Sequence, residues 1–102
     1  MIKVVIVKEK DDIKKVTISG HAMFDDYGKD IVCSAVSSIT TTTVNNILAL
    51  NKDGLKYNVK EGFVEITNIQ GDSSKTLINV MLNMFNELEK DYPKNIKISK
   101  ED

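Results

Sequence analysis

Two alternating apolar runs near the N-terminus, two long stretches with helical spacing, and further alternating runs between and after them predict an α+β fold. The expected architecture is two-layered, a mostly antiparallel sheet with two long helices on one face, in the order ββαββαβ. In residues 2–8, Ile2, Val4 and Ile6 alternate with Lys3, Val5 and Val7, the pattern of a strand covered at least in part on both faces. The charged KEKDD that follows makes a turn. Val16 and Ile18 then alternate with Thr17 and Ser19 before Gly20, which marks residues 13–20 as a second strand hairpinned to the first. HAMFDDYGKD has no usable period and carries Asp25, Asp26 and Gly28, so it reads as a loop with freedom to move.

From Ile31 to about Leu50, the residues Val32, Ala35, Val36, Ile39, Ile47 and Leu50 recur at three- and four-residue steps, giving a helix with one buried stripe. Ser34, Ser37, Ser38 and the threonine run at 40–43 are poor interior helix formers, so packing and not local propensity must hold this helix. Leu55, Tyr57 and Val59 alternate, Glu61-Gly62 turns the chain, and Val64 and Ile66 alternate again, which describes a second hairpin. A second helix follows, with Asp72, Ser73 or Ser74 as its cap. Leu77, Met81, Met84, Phe85, Leu88 and Tyr92 form its apolar face until Pro93 ends it. Ile96 and Ile98 mark a short last strand.

The chain has 102 residues, enough for one domain and too few for two, so residues 1–102 are treated as a single unit. Its net charge is −1 and its basic residues are all lysines. Nucleic-acid recognition leans on the bidentate guanidinium and on a concentrated positive face, and neither is present, which argues against direct nucleic-acid binding. One cysteine cannot form an internal disulfide, and a free thiol survives best in a reduced cytosol. The N-terminal apolar run is short and flanked by charges, as in a strand and unlike a signal peptide. No run approaches about 18 consecutive apolar residues, so no membrane span is expected. A soluble cytoplasmic protein is the expectation.

The only histidine and the only cysteine lie in one short segment, GHAMFDDYGKDIVCSAVS. His21 ends a strand and Cys33 falls in the expected first turn of the helix. A sulfur near a helix N-terminus faces the positive end of the macrodipole and unpaired N–H groups, which favour its ionised, nucleophilic form. With Asp30 as N-cap, Cys33 stands at the third helical position, and the N–H groups of Cys33 and its neighbours become candidates for an oxyanion hole. Eleven intervening residues let the chain fold back so that His21 serves as base to Cys33. Asp25, Asp26 and Asp30 are candidates to orient the imidazole, with capping ranked first for Asp30.

The plainer reading is a buried structural cysteine and a histidine that closes a strand, in a non-catalytic dimeric interaction module. Cysteine-dependent deamidation is another rival. Zinc is disfavoured, because one Cys, one His and two adjacent aspartates lack a recurrent ligand spacing. No metal and no cofactor are expected.

Gly20-His21-Ala22 after the second strand, and Asp30-Ile31-Val32-Cys33 followed by Ser34-Ala35-Val36-Ser37, resemble the Prp family of ribosomal-processing cysteine peptidases. Ser34 stands where the family more usually has alanine. The resemblance implies a homodimeric cysteine endopeptidase that removes a short N-terminal extension from the twenty-seventh protein of the large ribosomal subunit. It makes His21 and Cys33 the catalytic pair and puts Asp30 and Ser37 near the site. It makes the segment with Phe24, Asp25, Asp26, Tyr27 and Gly28 a substrate gate, in which Phe24 or Tyr27 grips apolar side chains before the cut.

Overall fold

The structure, a computed structural model, describes residues 1–20 and 27–101, with the backbone alone described at 27–30. Seven elements follow in the predicted order: β1 (Ile2–Glu9), β2 (Asp12–Ser19), α1 (Tyr27–Leu50), β3 (Lys56–Lys60), β4 (Phe63–Thr67), α2 (Asp72–Asp91) and β5 (Ile96–Glu101). The five strands form one sheet in the spatial order β3-β4-β2-β1-β5. Three of its pairings are antiparallel and the β1–β5 pairing is parallel. That last strand returns to β1 after α2, as a parallel partner reached through a helical crossover must.

Register explains the core. Val4 pairs with Ile18, Ile18 with Val64 and Val64 with Val59, while Ile6 pairs with Val16, Val16 with Ile66 and Ile66 with Tyr57. Directly paired residues share a face, so these rows run across the sheet on one side. Ile2, Val4, Ile6, Val16, Ile18, Ile66 and Ile96 from that side are buried in one cluster with Val32, Val36, Val44 and Ile47 of α1 and Ile78, Met81, Leu82 and Phe85 of α2. The helices therefore lie on one face, as the alternation of the strands predicts.

Several elements depart from the sequence reading. α1 begins at Tyr27, four residues before the predicted start. Tyr27 and Gly28, expected in a loop, belong to the first turn of a 24-residue helix, where one glycine costs about 1 kcal/mol against the packing of the whole element. The buried stripe of α1 includes Thr40 and Val44, and Leu50 is 69% exposed because the helix ends there. Ile31–Leu50 is, on average, apolar enough to cross a bilayer, although it has no long consecutive apolar run. Here its buried side carries part of the core.

In α2 the N-cap is Gly71, at φ 92°, with no side-chain cap bond, so Asp72, Ser73 and Ser74 are helical residues and not the cap. That left-handed backbone is open to glycine and costly to the residues expected there. Ile78 and Leu82 are buried while Met84 is 47% exposed, because the stripe follows the 3.6-residue period around the helix and leaves Met84 at its margin. Ile98, on the outer strand β5, donates its N–H to Glu89 Oε2 at 2.9 Å, which covers part of that sheet edge. The opposite edge strand, β3, has all five residues exposed.

Candidate active site

Gly20, at the end of β2, sets the direction in which the chain leaves toward His21. It has φ 79°, a left-handed conformation that side chains strain to adopt. A Cβ there would also overlap the backbone carbonyl of Met1. The Gly20 N–H donates to the Gly62 carbonyl at 3.1 Å, and Ile2 N–H donates to Asn95 O at 2.8 Å. The exit from β2 is thus pinned between the start of β1 and the β3–β4 turn. His21 itself lies outside the described residues, as do Phe24, Asp25 and Asp26 of the expected gate.

Cys33 is the seventh residue of α1 and sits half-buried against the core cluster. The position differs from the one predicted. With the helix starting at Tyr27, Asp30 is its fourth residue and cannot be the N-cap. The unpaired N–H groups of the terminus belong to residues 27–30, and the N–H of Cys33 falls within the intrahelical ladder. The amide of Cys33 is therefore unsuited to an oxyanion hole, and the macrodipole, which acts over the first turn, contributes little at the second.

The neighbourhoods of the two sequence candidates nevertheless converge. Ser37 follows Cys33 by one helical turn and lines a cavity of about 410 Å³ together with Gly62, the residue whose carbonyl holds Gly20. The β3–β4 turn thus touches both the chain leading into His21 and the α1 surface just after Cys33. From this turn the cavity runs between α1, at Ser37, Thr41 and Val44, and the hairpin, at Tyr57, Val59 and Val64. Sequence reasoning missed these residues. The alternation of Tyr57 and Val59 was visible, but how far the helix layer extends over them is a tertiary property.

Among the described residues, no three or more His, Cys, Asp and Glu side chains gather as a metal site would require. What the arrangement offers is one thiol-bearing residue beside an open, largely apolar groove on an α+β scaffold. A family model described as cysteine protease Prp matches residues 1–97. The chain belongs to this family. It is a cysteine protease, which removes both the non-catalytic module and the deamidase from consideration.

The ribosomal processing cysteine protease Prp of Staphylococcus aureus strain Mu50 / ATCC 700699 is 26% identical over 99 residues, covering 93% of both chains. The crystal structure of an essential ribosomal processing protease Prp from S. aureus in complex with a substrate peptide superposes with a TM-score of 0.91. It is 26% identical, and the match covers 99% of this chain and 100% of that one. The S. aureus protease in complex with a covalently linked product peptide gives 0.88 at 27% identity, with the same coverage. SMU.848 from Streptococcus mutans shares the fold, with a TM-score of 0.83 at 24% identity over 99% of this chain and 94% of its own.

Proposed function

We propose that this protease acts in the cytoplasm as a homodimer and removes the N-terminal extension of the twenty-seventh protein of the large ribosomal subunit, with Cys33 as nucleophile and His21 as base. One observation carries the reading. The chain is a cysteine protease with a single cysteine and a single histidine, so a covalent mechanism of the thiol–imidazole type has one sulfur and one ring to use. The relatives named as ribosomal processing proteases support the substrate, and the convergence of Gly20 and Ser37 on the Gly62 turn supports the pairing.

In the mechanism, His21 takes the thiol proton and Cys33 sulfur attacks the scissile carbonyl carbon, forming a C–S bond and an oxyanion. Collapse of the intermediate breaks the C–N bond while the imidazolium gives its proton to the departing amine. Water, deprotonated by the same ring, then attacks the thioester. The C–S bond breaks, and the extension leaves as a carboxylic acid with Cys33 restored. Backbone N–H groups outside the helical ladder hold the oxyanion. Phe24 and Tyr27 are the aromatic residues of the proposed gate, and Asp30 and Ser37 lie in the surrounding segment.

The test is incubation of the precursor ribosomal protein with the native chain and with Cys33→Ala, read by intact mass. The native chain removes the extension, Cys33→Ala leaves the precursor whole, and the two melt alike. Processing by Cys33→Ala would refute the covalent mechanism, and a precursor untouched by the native chain would refute the substrate.

A further inference from the structure

The groove beside α1 lies along the helix from Cys33, and its length can be compared with that of a bound peptide. At about 1.5 Å of rise per residue, Ser37 lies roughly 6 Å and Asn45 roughly 18 Å along the axis from Cys33. An extended chain advances about 3.3 Å per residue. A peptide fixed at Cys33 and running along the helix therefore passes the groove with the residues about two to five positions from its reacting carbonyl.

We infer that this groove is the subsite for apolar side chains of the substrate on the amino-terminal side of the cleaved bond, an inference that rests on Cys33 being the nucleophile. Its walls are chosen for such an occupant. Tyr57 and Val59 belong to the inner face of the sheet, in register with the buried Ile66 and the half-buried Val64, yet they are 50% and 58% exposed. With Val44 and Val64 they present an apolar trough, whose burial by side chains of a ligand releases water as folding does. Its end at Gly62 is the turn that holds Gly20, the residue before His21, so the trough is continuous with both halves of the site. Within its lining lies Thr40, 7% exposed, whose Oγ1 is buried without a hydrogen-bond partner among the described residues. Threonine occupies two χ1 wells in helices, and exchange between them swaps its methyl and hydroxyl, giving the groove one polar contact. The amino-terminal half is the occupant because it stays bonded to sulfur after the amine has left. Contacts to that half therefore hold the acyl intermediate through the second step.

The experiment uses the full chain carrying Cys33→Ala and a fluorescein-labelled peptide spanning the processing site of the large-subunit protein, with binding read by anisotropy. Val59→Asp and Thr41→Trp, both at exposed groove positions, are each expected to weaken binding at least tenfold. In chains that retain Cys33, the same two substitutions leave the rate of alkylation by iodoacetamide unchanged. Aspartate placed two to five residues before the cut is expected to weaken binding to the parent strongly and to Val59→Asp little further, as two changes to one contact do. Equal binding by parent and variants overturns the inference, as does a penalty confined to residues after the cut. Dissociation of a dimer by Val59→Asp in sedimentation also overturns it, since a second copy would then cover the groove. Processing by Cys33→Ala would sink the catalytic reading together with this one, whereas normal processing by the Val59→Asp chain sinks this one alone.

Discussion

Thr40 and Thr43 show how much one hydroxyl depends on its neighbours. Thr43 Oγ1 donates to the Ile39 carbonyl at 2.7 Å, while Thr40 Oγ1, one helical turn earlier and sealed from solvent, has no partner among the described residues. A buried polar group left unpaired costs about 1–3 kcal/mol, whereas a methyl of the same shape at that place is neutral or better. Thr40→Val is therefore expected to stabilise the chain by about 1 kcal/mol, raising its melting midpoint by roughly 4–8 °C. A lower midpoint, read by calorimetry, would mean the hydroxyl is satisfied in solution. Cys33 and Asp30 carry the other lesson at this scale. Their identities and spacing were legible, but their helical positions moved by four residues when the start of α1 fell at Tyr27.

At the level of elements, the two sheet edges are treated differently. On β5 the Ile98 N–H is taken by the carboxylate of Glu89 from α2, a charge-assisted bond that joins helix to strand and leaves one donor fewer for pairing with another chain. Glu89→Ala should cost about 1–2 kcal/mol, visible as a lower urea midpoint with an unchanged slope. An unchanged midpoint would show that water replaces the carboxylate without loss. The period-2 and period-3.6 patterns placed all seven elements, because alternation and helical stripes are local consequences of burial. The ends were less legible. Gly71 replaced three better capping residues, and Tyr27 and Gly28 joined a helix their composition argued against, since packing of a long element outweighs terminal propensity.

For the molecule as a whole, 102 residues supply a core whose net stability is expected at about 5–15 kcal/mol, so association with a second copy would be a sizeable addition. The proposed homodimer predicts a sedimentation mass of twice the 11.4 kDa chain and a melting midpoint that rises with protein concentration. A single-chain mass at micromolar concentration, with a midpoint independent of concentration, would count against it.

What the amino-acid order determined by itself was the kind and succession of elements, the inward faces of most strands, and the placing of the only thiol and only imidazole in one segment. These follow from side-chain periodicity and from residue chemistry, which act over a few neighbours. Only the tertiary structure decided that β5 lies parallel to β1, that the Gly62 turn meets both Gly20 and the cavity lined by Ser37, and that Tyr57 and Val59 stand uncovered beside α1. Each of these depends on how layers of limited width come to rest on one another, and residues far apart along the chain carry no local mark of that contact.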